Sequence, residues 1–315
     1  MFQGGEAKIS QVSCNHSPPV PPEIVDWLSH VLSSTDDVRY APSMRHRTPP
    51  IVTLDEIRNA KDLCPRSMGG CKILEINPST LLKVGPMVRM GEAEALCLVR
   101  KRTSVPVPEV FNAYAIGDVG FLVMEKIPGI PLVRCWKGLT GDAKRSIVRQ
   151  LQGFIQEWRQ IEGPLFGSVD GGPCEDVFFK HSWDAKFRQY GPFSTRKEFN
   201  QGVVEALRNA RPYGKLTKRD EPLAERILAS GSQDDRKVLT HGDLHQSNIM
   251  VKDNVITGVV DWGAAGYSIS AREYFGLRWQ ALDLDWRGLI STILDVDEYD
   301  FWAEVNQSMV DYTGI

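Results

Sequence analysis

The segment EKIPGIPL, Glu125–Leu132, separates two textures of sequence, and this break constrains the fold more than any other feature. Prolines at Pro128 and Pro131 with Gly129 between them can continue neither a helix nor a central strand. The chain must turn there. The stretches on either side of the turn are therefore expected to form two lobes, a small β-rich one and a larger helical one.

The front half alternates or clusters apolar residues in short runs. CKILEI and TLLKVG, joined by NPS, predict a β-hairpin with Lys83 on its second strand. Thr53 followed by Glu56 fits a capping box, so a helix is expected from about Leu54 to Leu63. GEAEALCLVRKRT predicts another helix, ended by the prolines of SVPVPEV, and VFNAYAIGDVGFLVME predicts two strands around Gly117–Gly120. Residues 1–47, with SPPVPPE and RHRTPP framing a short helical stretch near Ile24–Leu32, are expected to form an irregular N-terminal arm.

Beyond the break the spacing changes. In SIVRQLQGFIQEWRQI the residues Ile147, Leu151, Phe154, Ile155, Trp158 and Ile161 recur at helical intervals and predict one buried stripe. Helices dominate from there, except that NIMV and ITGVVDW predict two short strands joined by KDN. The expected division is an arm over 1–47, a small β-rich lobe over 48–127 and a larger helical lobe over 128–315.

Composition excludes several classes. With 37 Lys and Arg against 40 Asp and Glu, the net charge of −3 gives no general attraction to nucleic acid or anionic membrane. No stretch approaches the roughly 20 apolar residues that a membrane span needs, and MFQGGEAKIS lacks the apolar core of a signal peptide. Six cysteines without a CxxC pair suggest neither a zinc site nor a disulfide framework. A cytoplasmic protein that binds neither nucleic acid nor membrane is the expectation.

The chemistry concentrates in LTHGDLHQSNIMV, Leu239–Val251, and in the DW that closes ITGVVDW. Phosphoryl transfer to a hydroxyl needs a carboxylate beside the attacking oxygen, hard oxygen ligands for magnesium and a cation on the phosphates. Asp243 fits the first role. Asn248 and Asp261 fit the second, and no soft ligands gather near them. His241 and His245 suit bracing better than chemistry. Between Asp283 and Asp311 eight carboxylates face the single base Arg287, which suits either a solvated face or a cationic, amine-bearing substrate. Trp279, Trp286 and Trp302 would stack on such a cation or pack the core.

HGDLHQSN followed by VVDW resembles the HGD-x4-N and DW pair of the aminoglycoside phosphotransferase/choline kinase-type family, relatives of protein kinases. The upstream order agrees: Lys83 in LLKVG, GEAEAL, VPVPEV and FLVMEKIPG. FGSVDGGP (Phe166–Pro173) and Glu273–Tyr274 resemble fungal-type members. The likeness spans about residues 70–275 and implies an α+β, two-lobed protein-kinase-like fold, with a small antiparallel-sheet N-lobe and a larger, mainly helical C-lobe.

Carried over position by position, the resemblance implies Asp243 as catalytic base and Asn248 and Asp261 as magnesium ligands. Lys83 would meet the nucleotide phosphates and pair with Glu92, Glu94 being the alternative. The backbone of Glu125 and Ile127 would meet the adenine. The pattern departs in two places: no GxGxxG precedes Lys83, and WGAAG follows Asp261 where relatives often carry an acidic residue and a proline. The implied activity is magnesium-dependent transfer of the γ-phosphate of ATP, with GTP as the other donor, to a hydroxyl of a small molecule. A nucleotide-binding pseudokinase is the alternative; a protein kinase ranks lower because HRD, DFG and APE elements are missing. The sequence leaves acceptor and oligomeric state open.

Overall fold

The structure is a computed structural model that describes residues 17–34, 37–47, 49–65, 70–176, 179, 188–231, 236–279, 283–293 and 299–310. Its first half is built on one antiparallel sheet. The strands are β1 (Val38–Tyr40), β2 (Lys61–Asp62), β3 (Lys72–Asn77), β4 (Thr80–Gly85), β5 (Val110–Ile116) and β6 (Val119–Glu125), in the spatial order β1-β5-β6-β4-β3-β2. Helices α1 (Pro22–Leu32), α2 (Leu54–Arg58) and α3 (Met90–Arg102) flank it.

The period-two alternation decides which face each residue takes. Phe121 and Val123 of β6, with Leu82 and Val84 of β4, join Leu28 of α1 and Ile57 of α2 in one core. Leu122 and Met124 point the other way, into the core shared with Ala93, Leu96 and Val99 of α3. Lys83 lies between Leu82 and Val84, so it faces the α3 side. That parity alone puts the lysine in the space between sheet, α3 and the second lobe.

Two expectations change here. From residue 17 onward, the stretch expected as an irregular arm is built into the N-lobe: α1 buries Leu28, and β1 pairs with β5 in the register Val38↔Ile116 and Tyr40↔Tyr114. Three residues are too few to show alternation, so β1 leaves no pattern in the sequence. Helix α2 carries the capping box, with the Thr53 N–H donating to Glu56 Oε2 at 2.8 Å, but it ends at Arg58 rather than near Leu63. Lys61 and Asp62 instead pair with Glu75 and Leu74 of β3, and the buried Asp62 accepts from Lys72 Nζ at 3.1 Å. Tertiary pairing overrides local helix propensity there.

After the turn, β7 (Ile130–Pro131) and α4 (Leu132–Cys135) lead into α5 (Gly141–Trp158). On α5, Ile147, Leu151, Ile155 and Trp158 of the predicted stripe are buried, whereas Phe154 is half-buried and Ile161 lies beyond the helix end. The rest comprises β8 (Gly167–Ser168), α6 (Arg196–Asn209), α7 (Glu221–Ala229), β9 (Val238–Thr240), β10 (Ile249–Lys252), β11 (Val255–Val259), β12 (Gly266–Ser268), α8 (Ala271–Trp279), α9 (Leu284–Ile290) and α10 (Tyr299–Val310). Asp253 and Asn254 both adopt positive φ, at 53° and 63°, and close the β10–β11 hairpin. A second small sheet, ordered β8-β12-β9, lies at the entrance to the loop after Thr240. Among the described residues no helix is long and apolar enough to cross a membrane.

Candidate active site

Lys83, Glu92 and Asp261 converge. Lys83 Nζ donates to Glu92 Oε1 and Oε2 at 2.9 and 2.8 Å and to Asp261 Oδ1 at 2.7 Å. Lys83 is 7% exposed and Glu92 2%. Burial alone would push the lysine down in pKa, but Glu92 and then Asp261 overcome it and hold the ammonium above its ordinary value. Burial likewise works against Asp261, and Lys83 outweighs it, keeping the carboxylate below its usual range. Glu94 points elsewhere: its carboxylate accepts from the N–H and Oγ of Ser43 at 2.8 and 2.6 Å. Of the two candidate glutamates, Glu92 is the one beside the lysine.

Glycines allow this close approach. A Cβ on Gly263 would stand 3.3 Å from Glu92 Oε2 and 3.5 Å from Asp261 Oδ1. One on Gly91 would meet Ser168 Oγ at 2.1 Å, so α3 rests its glycine directly on the second lobe. Asp261 itself sits at φ 65°, ψ 61°, a left-handed conformation costing a non-glycine residue about 1–2 kcal/mol. That bend swings its carboxylate off the line of β11 towards Lys83.

The hairpin explains the spacing of the other polar residues. Ile249 pairs with Val259, and the Val260 N–H donates to the Asn248 carbonyl at 2.9 Å. Asn248, just before β10, and Asp261, just after β11, therefore emerge at the same end. Asn248 Nδ2 donates to the Asp243 carbonyl at 2.9 Å. Among the described residues Asn248 Oδ1 has no protein partner, and neither does Asp261 Oδ2. These are hard oxygen atoms presented together, the donor type magnesium takes. No group of three or more His, Cys, Asp or Glu able to hold a metal occurs among the described residues. A cation here would complete its shell with water and phosphate oxygens, as magnesium does on one or two protein ligands.

His241 is a brace. It is fully buried, and burial lowers its pKa, so the ring is neutral. Its Nε2 lies 3.0 Å from the Val260 carbonyl, and its Nδ1 accepts the Asp243 N–H at 3.3 Å. One ring thus ties the loop bearing Asp243 to the strand end bearing Asp261. His245 accepts the Ser247 N–H on Nδ1 at 3.2 Å and lies 3.7 Å from Asp243 Oδ2. Asp243 keeps 32% of its side chain exposed.

Glu125 and Ile127 line a cavity of about 200 Å³ that ends at Lys83, Glu92 and Asp261. Ile73, Leu81, Met124, Met250 and Val260 form its apolar walls. The Glu125 carboxylate accepts from the Glu109 N–H at 3.2 Å, and the Glu125 N–H donates to the Glu109 carbonyl at 2.9 Å. Gly258, where a Cβ would stand 2.7 Å from Ile127 Cγ2, leaves room for the hinge.

Three of the described C-terminal carboxylates, Asp283, Asp285 and Glu304, bond within the fold, and Asp300 is exposed. Asp285 binds Lys144 at 2.6 Å, Glu304 binds Arg226 at 2.8 Å, and Asp283 caps α9. Asp295, Asp297, Glu298 and Asp311 lie outside the described residues, as does the Trp279 side chain. Trp286 and Trp302 are each 1% exposed and pack the core rather than caging a cation. Sequence reasoning missed Arg272 as a contact of this loop, and gave no role to Glu273. The Glu273 carboxylate accepts from the His241 N–H at 2.7 Å, and Arg272 Nη2 donates to the Gly242 carbonyl at 2.7 Å. Glu273 was marked only as part of the Glu273–Tyr274 resemblance, without a role, and no local pattern marks Arg272.

Comparison with known proteins agrees with this geometry. The APH family, described as "Phosphotransferase enzyme family", matches residues 85–287. No curated protein sequence matches the chain. Among solved structures, an ADP-bound aminoglycoside phosphotransferase APH(2'')-Ib is 17% identical, with a TM-score of 0.51, covering 93% of this chain and 86% of that one. A thermostable variant of aminoglycoside phosphotransferase APH(4)-Ia, in a ternary complex with AMP-PNP and hygromycin B, is 13% identical with a TM-score of 0.51, covering 83% of this chain and 96% of that one. These likenesses establish the two-lobed kinase-like fold.

Proposed function

The chain belongs to the phosphotransferase enzyme family, and from that premise we propose that it transfers the γ-phosphoryl group of ATP to a hydroxyl of a small molecule with the help of magnesium. The observation that carries this reading is the convergence of Lys83, Glu92 and Asp261 at the inner end of an apolar cavity, with Asp243 and Asn248 on the facing loop.

The division of labour follows from the atoms. The cavity walls would take the base of the nucleotide, and the backbone at Glu125 and Ile127 would meet its edge. Lys83, held charged by two carboxylates, would bind phosphate oxygens without needing to gain a proton. Asn248 Oδ1 and Asp261 Oδ2 would hold magnesium, whose charge offsets that of the phosphates. Asp243, partly exposed and with its backbone fixed by His241, would orient the acceptor hydroxyl and take its proton. Adenine is favoured as the base because the similar structures above hold ADP and AMP-PNP.

Thermal melting with ATP or GTP, each with magnesium and with a chelator, tests the donor site. Ligand present at about 100 times its Kd stabilises by about 2.7 kcal/mol. A rise in melting temperature that needs magnesium, is larger with ATP and disappears in Asp261→Asn supports the reading. No rise with either nucleotide counts against it.

A further inference from the structure

The loop that carries Asp243 has no regular secondary structure, yet three consecutive residues leading to the base are each held by a side chain. The His241 N–H donates to Glu273 Oε2 at 2.7 Å, the Gly242 carbonyl accepts from Arg272 Nη2 at 2.7 Å, and the Asp243 N–H donates to His241 Nδ1 at 3.3 Å. Gly242 is at φ 79°, and a Cβ there would stand 2.2 Å from the Ala264 carbonyl oxygen. The loop is pressed against its neighbour in a left-handed conformation, so these bonds set the direction of its peptide groups.

Arg272 is 1% exposed and Asp176 6%. The guanidinium gives its Nε to Asp176 and its Nη2 to Gly242. Because a guanidinium is a rigid planar fork, fixing Nε on one carboxylate fixes where Nη2 points. Asp176 therefore aims a donor at the loop. Replacing a buried ion pair with apolar residues is often neutral for stability, so the distinctive consequence of this pair is the hydrogen bond that it directs.

The frame behind the pair is continuous with the site. Asp176 comes after β8, which pairs with β12 (Gly266↔Ser168), and β12 pairs with β9 (Gly266↔Thr240), the strand that leads into the loop. Ser168 of β8 is also where Gly91 of the Glu92 helix rests. The stretch Phe166–Asp176 thus touches the helix carrying Glu92 and, through Arg272, the loop carrying Asp243.

We propose that Arg272, aimed by Asp176, is a positioning residue for Asp243 that sets the catalytic loop through the Gly242 carbonyl. The proposal rests on the reading of Asp243 as the base. Two changes test it: Arg272→Lys, which keeps a charge but loses the fork, and the double change Asp176→Leu with Arg272→Met, which replaces the pair by apolar side chains and protects against a simple failure to fold. Magnesium-ATP turnover and amide exchange over residues 239–248 are measured for each. The expected result is a fall in kcat of about a hundredfold, the scale of a small misplacement at a reacting centre, with little change in KM for ATP and faster exchange confined to that loop. Unchanged kcat in both variants, with or without faster loop exchange, overturns the proposal. So does exchange that rises equally in α5 and α6, since Arg272 would then be a general core residue. A wild-type protein with no turnover counts against the proposed function instead, and the loop exchange then decides whether Arg272 holds the loop.

Discussion

The two sides of the cleft are prepared in opposite ways. On the Lys83 side the charges are matched in advance: one ammonium faces two carboxylates, all at hydrogen-bond distance, with Lys83 and Glu92 buried. On the Asp243 side the backbone is fixed instead. His241, Arg272 and Glu273 hold the loop, while the Asp243 carboxylate remains partly exposed and Asn248 Oδ1 unpaired among the described residues. The difference suits the tasks proposed for the two sides. A phosphate site works when its charge is already in place, whereas a base must meet a mobile acceptor with a fixed direction and an open face.

This contrast predicts which changes act on chemistry and which on stability. Asp243→Ala, on the open side, should lower turnover by a factor of about 10²–10⁴, the range of a lost general base. Nucleotide-induced stabilisation should stay intact; a loss of both would place Asp243 in nucleotide binding. Lys83→Met, on the matched side, takes the ammonium away from the buried Glu92 and should destabilise the unliganded protein by about 3–5 kcal/mol. Urea unfolding measures this, and a stability equal to wild type would mean that the cluster is not matched in solution. Gly263→Ala crowds Glu92 and Asp261 and should raise KM for ATP at a stability cost of about 1–3 kcal/mol. A KM unchanged by the new methyl would show that the cluster shifts freely.

The smallest expected effect is on pH dependence. His241 is neutral in the fold because burial lowers its pKa, against an ordinary value of 6.5. Above that value neither folded nor unfolded chain carries the proton. As pH falls below it the unfolded chain is protonated first, and stability drops by at most about 1.4 kcal/mol per pH unit. His241→Gln should flatten the slope of melting temperature between pH 6.5 and 5 relative to wild type. An identical slope in the variant would remove His241 as its source.

The sequence showed the parts of this site that depend on short spacing. Asn248 and Asp261 flank a hairpin whose strands and turn are both visible as patterns, so their meeting could be anticipated. Lys83 was placed on a strand by the hairpin pattern, and its role came from the family resemblance. The choice between Glu92 and Glu94 could not be made from periodicity; the bonds of Glu92 to Lys83 and of Glu94 to Ser43 show which face of α3 turns inward. Arg272 and Asp176 were hidden for a related reason: they are 96 residues apart and meet only through the packing of α8. In the fold, the hairpins and the helices α3 and α5 were legible, whereas β1 and β2, at three and two residues, exist only through their partners.

The most direct test is to incubate the protein with magnesium ATP and a panel of hydroxyl-bearing small molecules and follow ADP and phosphorylated product, with Asp243→Ala alongside. The predicted result is that an acceptor increases ADP formation, that phosphate appears on the acceptor's hydroxyl, and that Asp243→Ala forms neither. Equal product formation by wild type and Asp243→Ala would contradict the assignment of Asp243 as the base.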